Sequence, residues 1–505
     1  MTYTDSIGSV EYGGVRANSV RLIHHGKHRN ALLCGTERPE KRSSGTFLAE
    51  AAATEQAKQE VRDRDAELPH DADDLIRLIA PRLVYVASGS EDAWAGPRAE
   101  KAAWDSAHDL YEAYGLGERM GYHCHDGVHR LRADDWEKFM DFADFHLKAP
   151  SSADSDAIAR RIAAAGADGS RIVVLAKNAA SPDGVWRLTR AIVLPDDFTL
   201  VFDGCRVELA DGVQDNLVRN SGAREGACEP NRGIRILGRN GAVLSGGRRN
   251  HYLPKRSGDP NGWRSVGILL CDVSDYEVGG FAMEETQCWA ISQERCCRGR
   301  IHDISFGSSD IMFNQDGVDV RKGCHDLVIE NISGSTGDDV VALTAYRDPK
   351  GSPARYGMQI GGNADLGESD DVRNVTIRNV KARSAGGHGV IRLLVCDGIK
   401  MHHIAVENVF DTASGDQKRP QATIRIGDSH FHKTRRCEMG EMHHISVSGV
   451  TASGNVAVWV RGPLCDSEIV SVTEAPGGVK YKVDAQTENV VFDQGRNPCC
   501  RGQSE

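Results

Sequence analysis

The sequence predicts an all-β strand solenoid, preceded by a shorter segment of mixed α/β character. Three observations predict it. The first is a short pattern, apolar-x-x-apolar, often with Asn third. It recurs as Ile301-His302-Asp303-Ile304, Ile329-Glu330-Asn331-Ile332, Ile377-Arg378-Asn379-Val380, Val406-Glu407-Asn408-Val409 and Val447-Ser448-Gly449-Val450. The second is its spacing. Ile301 to Ile329 is 28 residues, Ile329 to Ile377 is 48, and Ile377 to Val406 is 29. Coils of roughly 20–29 residues are the scale of strand solenoids, and the long interval reads as one coil carrying an insertion. The third is composition: 54 glycines, 40% hydrophobic residues and only 6% aromatics suit a turn-rich β protein.

The elements follow in chain order. In residues 1–148, the Ala-, Glu- and Lys-rich stretch from Gly45 to Asp65 reads as helix or poorly ordered chain. Leu83-Val84-Tyr85-Val86-Ala87 reads as a buried strand, and residues 135–143 have apolar residues at helical spacing. Ala149-Pro150-Ser151-Ser152 reads as a linker. Residues 154–165 predict an amphipathic helix with Asp154 or Ser155 as N-cap, covering the open strand edge at the start of the solenoid. Short β runs then appear at 172–175, 198–202 and 234–237, and the solenoid domain is expected to span 151–505. The insertion at 347–372 is placed to wall a cleft.

The bulk numbers exclude several function classes. The 505 residues carry a net charge of −11 without a basic run, which argues against a nucleic-acid partner. Local Arg and Lys side chains still permit an anionic sugar. No apolar stretch is long enough to span a membrane. The start, Met1-Thr2-Tyr3-Thr4-Asp5, lacks a charged region followed by an apolar core. The 14 cysteines show no paired C-x-x-C spacing and read as scattered reduced thiols. A cytoplasmic location is expected on these grounds, or a secreted or periplasmic one if the N-terminus is incomplete. Neither metal nor cofactor is expected. His402-His403 and His443-His444 read as residues repeated by the solenoid register rather than ligands, and Trp289 as core rather than a sugar platform.

Chemistry enters with the groups that follow the first four copies of the repeat: Asp316, Asp338-Asp339, His388 and Arg425. Adjacent parallel rungs lie about 4.8 Å apart, so groups at equivalent points of successive coils stack. Consecutive strand residues point to opposite faces. Asp338 and Asp339 therefore share a face only at a turn or bulge, which Gly337 permits, as Gly386, Gly387 and Gly389 do around His388. Crowded carboxylates raise one another's pKa, so one stays protonated as an acid while others serve as bases. Glycoside hydrolysis needs that division of labour.

Asn314-Gln315-Asp316-Gly317, Gly337-Asp338-Asp339, Gly387-His388-Gly389 and Arg425-Ile426 resemble the ordered motifs of the polygalacturonases, glycoside hydrolase family 28, over about residues 151–495. The resemblance implies a right-handed parallel β-helix that cleaves glycosidic bonds with inversion. It implies Asp338 as general acid, Asp316 and Asp339 as the pair that activates water, and His388 as support for the acid's protonation. Arg425 would contact substrate, with Asn314, Gln315 and Arg392 beside it. Three residues depart from the family pattern: Gln315 for a Thr, Val340 for a Cys, and Gly427 for the Lys that binds a uronate carboxylate. Arg392, Lys322 and Lys433 are the candidates to replace that Lys.

Leu78 to Arg82, Val84 to Ser88, Ser90 to Trp94, Gly96-Pro97-Arg98, Gly121-Tyr122-His123, Gly127-Val128-His129 and Asp135-Trp136 resemble the C-terminal part of the glucuronoyl esterases, carbohydrate esterase family 15. By that resemblance residues 1–148 hold a partial α/β-hydrolase-like segment, with His129 matching the catalytic His and Asp92 or Glu91 its acidic partner. The expected Gly-x-Ser-x-x-Gly elbow is missing, and the nearest stretch, 20–29, offers no Ser where one is needed. The segment is expected to be an inactive remnant. The leading expectation is a polysaccharide hydrolase acting on an acidic or pectin-like glycan. The alternatives are a β-helical lyase or epimerase, a glycan-binding solenoid without turnover, and a two-domain enzyme whose esterase half is active.

Overall fold

The computed structural model describes residues 10–12, 15–17, 72–92, 95–114, 116–147, 151–211, 213, 215–224, 227–247, 266–308, 314–347, 369–428 and 434–493. The Ala-rich stretch from Gly45 to Asp65, the 20–29 segment, Ala149-Pro150, Lys433 and most of the insertion lie outside them. The chain divides into two compact units between residues 149 and 150.

In the N-terminal unit a parallel strand pair, Val84–Gly89 and Met120–His125, is joined through the helix Pro97–Ala113. Helices Ala72–Arg77 and Ala133–Leu147, a short 3-10 turn at Gly117–Arg119 and the antiparallel strands Val10–Tyr12 and Val15–Ala17 complete the described part. Ile76, Val84, Val86, Ala107, Tyr111 and Met120 form its core. The crossover helix is what a parallel pair requires, because the chain must return to the same sheet end.

The second unit is a right-handed parallel β-helix. Two long parallel sheets run its length. In one, here the ladder sheet, strands Cys297–Gly307, His325–Thr336, Val372–Ser384, Met401–Asp411 and Met442–Thr451 lie side by side. In the other, the site sheet, the neighbours are Ile291–Glu294, Val318–Val320, Val341–Ala345, Ile391–Val395, Ala422–Ile426, Val456–Val460 and Val479–Val483. Each coil contributes a ladder strand, a turn and a site strand.

The repeat read from the sequence is the register itself. Ile301, Ile329, Ile377, Val406 and Val447 are aligned rung on rung, and all are buried. Fully burying each aliphatic side chain contributes about 1.5–3 kcal/mol. The third position of the motif has a structural role that the pattern alone did not explain. Asp303, Asn331, Asn379, Asn408 and Gly449 all sit at φ between 54° and 70°. Asn and Asp tolerate this left-handed backbone better than other side chains. Their side chains link the rungs: Asn331 Nδ2 donates to Asp303 Oδ1 at 2.8 Å, Asn379 Nδ2 to Asn331 Oδ1 at 3.1 Å, and Asn408 Nδ2 to Asn379 Oδ1 at 3.3 Å.

The covering helix runs Ala153–Ala167 and buries Ile158, Ile162 and Ala165 against the first coil. Its N-cap is Ser152, not Asp154 or Ser155. Those two residues lie inside the first turn and face the open strand Val185–Leu188. Asp154 accepts from the Arg187 N–H at 2.8 Å and Ser155 Oγ from the Thr189 N–H at 2.9 Å. The helix thus satisfies backbone donors of the edge strand while covering the core.

Candidate active site

The groups that follow the repeat occupy the turns entering three adjacent site strands. Asp316 precedes Val318–Val320, Asp338 and Asp339 precede Val341–Ala345, and His388 precedes Ile391–Val395. These turns interlock through the backbone. Asp338 N–H donates to Gln315 O at 3.0 Å, and Gly317 N–H to Asp339 O at 3.0 Å. Close packing explains two glycines. A Cβ at Gly386 would lie 2.0 Å from Gly337 O, and one at Gly317 would lie 2.5 Å from Val340 O.

The side chains converge. His388 Nδ1 lies 3.2 Å from Asp338 Oδ1, while the Asn314 N–H donates to Asp338 Oδ2 at 3.0 Å. The Asp339 N–H donates to Asp316 Oδ1 at 3.2 Å. Arg392 Nη1 stands 3.6 Å from Asp339 Oδ2. In the site sheet Arg392 is in register with Arg425 and then with Trp459, flanked by inward-facing aliphatic residues. Arg392 and Arg461 stand on Asp428 at 3.6 and 3.7 Å.

Burial foremost holds Asp316 well above the usual carboxylate range, with the charges of Asp319, Asp338 and Asp339 adding to it and Arg392 opposing. Asp339 is raised chiefly by burial, against Arg392. Burial, against its neighbour Asp339, also pulls the Arg425 guanidinium down.

Asp319 is a member of this cluster that the sequence reading missed. It is 1% exposed, and burial pushes its carboxyl well up, with Arg321 opposing and Asp339 and Asp338 adding. The available signal was alternation: Asp319 stands between two inward-facing valines, at the outward position of Val318–Val320.

Other expected residues fall differently. Gln315 is buried as a brace, its amide donating to Thr286 O at 2.7 Å and Ser308 Oγ at 2.8 Å. Lys322 is buried beside Glu294, at 3.4 Å. Trp289 is 4% exposed, with Arg321 over its ring at 4.7 Å. His402 and His443 are in register and stacked at 4.9 Å, as are His403 and His444 at 4.7 Å. Gly427 has φ 74°, and a Cβ there would lie 2.5 Å from Gly462 Cα. A Lys at 427 is therefore excluded by the neighbouring coil.

In the N-terminal unit His129 Nδ1 lies 2.5 Å from Asp92 Oδ2. Asp92 is fixed in turn by the Ala95 N–H, which donates to its Oδ1 at 3.0 Å.

No family model matches the chain. Over 100 residues it is 35% identical to carbohydrate esterase MZ0003 from an unknown prokaryotic organism, a match covering 17% of this chain. The chain spans 23% of the length of that curated relative. Among solved structures, a hyperthermoactive exopolygalacturonase from Thermotoga maritima aligns with a TM-score of 0.43 at 16% identity, over 68% of this chain and 88% of that one. A tailspike protein mutant of E. coli bacteriophage HK620 in complex with hexasaccharide aligns at 0.42 and 13% identity, over 71% and 66%. A 1,3-α-1,4-β-D-galactose-4-sulfate-3,6-anhydro-D-galactose-2-sulfate 4 galactohydrolase aligns at 0.38 and 13% identity, over 70% and 86%. All three are likenesses of architecture at low identity.

Proposed function

We propose that the β-helix hydrolyses glycosidic bonds in an acidic, pectin-like polysaccharide by an inverting acid–base mechanism. The observation that carries this reading is the interlocked cluster of Asp316, Asp338 and Asp339 with His388 and Arg392, built from the turns of three successive coils. Burial raises the carboxyls of Asp316, Asp319 and Asp339, so the cluster retains protons that surface carboxylates would have lost. Asp338, the member paired with the half-exposed His388, is read as the acid that passes a proton to the leaving oxygen. Asp316 and Asp339 hold and deprotonate the attacking water on the other side of the bond. Arg392 and Arg425, side by side on the site sheet, support an anionic sugar as the bound unit. In the N-terminal unit, Asp92 and His129 are read as the remnant of an esterase site.

The test is release of reducing ends from a panel of uronate- and rhamnose-containing glycans. Wild type is expected to release them, and Asp338→Asn to lose at least ~10²-fold in rate, the scale of a general acid. A product absorbing in the ultraviolet through a new double bond would replace hydrolysis by a lyase reaction. Binding without turnover in both forms would leave a glycan-binding solenoid. Ester cleavage abolished by His129→Ala would overturn the remnant reading.

A further inference from the structure

The N-terminal unit contains a second cluster that glycan hydrolysis does not use. His123 and His125 are alternate residues of the strand Met120–His125, so both side chains leave the same face. Asp135 stands in the first turn of the helix Ala133–Leu147. His125 Nδ1 lies 2.9 Å and His123 Nε2 3.1 Å from the same oxygen, Asp135 Oδ1. The three donor atoms all lie within 4.8 Å of one another.

Two features of this contact point to a cation. Asp135 is 1% exposed, and no Lys or Arg side chain among the described residues pairs with it. A buried carboxylate needs a positive partner. The second feature is direction. His123 Nε2 is buried and makes no hydrogen bond among the described residues, although the carboxylate oxygen is 3.1 Å away, so the nitrogen aims beside that oxygen rather than at it. His125 Nδ1 is 2.9 Å from the same oxygen, hydrogen-bonded to it when that nitrogen carries the ring proton and free to ligate when the proton sits on Nε2.

We propose that His123, His125 and Asp135 bind one divalent transition-metal ion, Zn²⁺ foremost, tying the strand to the helix that follows. Donors held about 2.0–2.1 Å from a tetrahedral ion are ~3.3 Å apart, a few tenths beyond the two observed spacings. Two imidazoles and a carboxylate favour zinc over calcium or magnesium, which take oxygen ligands. The Asp135 Oδ2 that accepts from the Arg132 N–H at 2.8 Å, and the His125 contact to Val128, orient these ligands from behind.

The experiment loads the full chain with Zn²⁺, removes loose metal by gel filtration and measures zinc by elemental mass spectrometry. One zinc per chain is expected, lost in Asp135→Asn and in His123→Gln. It should persist in the double variant His402→Gln, His443→Gln, which removes the stacked histidines of the solenoid as a competing site. Zinc retained by the Asp135 and His123 variants overturns the proposal. So does a wild-type chain that elutes without zinc. If those variants do not fold, Co²⁺-loaded wild type decides the matter. An intense visible spectrum of a four-coordinate ion supports the site, and a weak six-coordinate spectrum overturns it.

Discussion

Two columns of side chains run along the same solenoid, and they differ in one respect. Along the ladder sheet, Asp303, Asn331, Asn379, Asn408 and Gly449 repeat one solution from coil to coil: a left-handed backbone position and, from Asn331 to Asn408, a side-chain amide that donates to the rung before. Along the turns into the site sheet, the chemistry changes from coil to coil, from Asp316 to Asp338-Asp339 to His388. Repetition of one group lets each rung satisfy the next, which is a stabilising device. Stacking unlike ionisable groups leaves charges to be balanced and protons to be shared, which costs stability and equips a site. Register thus supplies both columns, and residue choice decides which one gathers ionisable groups.

This contrast can be broken by exchange. The largest effect is expected from Asp339→Asn, which should cut turnover at least ~10²-fold while leaving the folded state intact, since it removes one of several buried like charges. Turnover kinetics beside a urea melt would check it, and unchanged turnover would remove Asp339 from the site. Next is Gly427→Lys, intended to restore a cation on the site side. It should instead cost about 2–4 kcal/mol of stability, from the left-handed φ together with the clash against Gly462. A gain in affinity for an acidic glycan without loss of stability would contradict this. On the ladder side, Asn379→Ala should cost about 1–2 kcal/mol in a chemical melt, through two lost inter-rung bonds and the φ of 56°, with turnover per folded molecule unchanged.

The smallest effect concerns pH. Asp319 ionises at higher pH in the folded chain than in the unfolded one, whose value is near 3.8. Above that pH the unfolded chain has shed this proton while the folded chain still binds it. The stability associated with this group is therefore complete at lower pH and lost as pH rises through its folded value. Asp319→Asn should consequently show a shallower fall in urea midpoint from pH 4 towards neutrality than wild type. Parallel curves would show that Asp319 is not raised.

How much was legible follows from the range of each interaction. The positions of the ladder strands were readable because burial at a fixed point of every coil writes a period into the chain, as at Ile301, Ile329 and Ile377. The turn groups were readable because an Asp-Asp pair after Gly337, or a His among glycines, needs unusual backbone. Asp319 escaped because one acidic residue in a Val-rich strand has no local mark, and only the neighbouring coils make its burial apparent. The bracing contacts of Gln315 went unseen and the N-cap of the covering helix was misplaced for the same reason. Their partners, Thr286 and Ser308 for the one and the edge N–H groups of Arg187 and Thr189 for Asp154 and Ser155, lie tens of residues away.

By itself the sequence determined the solenoid, its coil length and the order in which acidic, imidazole and guanidinium groups arrive, because periodic burial and backbone-demanding glycines are properties of neighbouring residues. Tertiary structure alone decided which carboxylates are buried together and raised, why a side chain clashes at 427, and that His123, His125 and Asp135 meet. Each of these depends on distances between coils or between a strand and a helix, and electrostatic energy and steric exclusion are functions of those distances, not of separation along the chain.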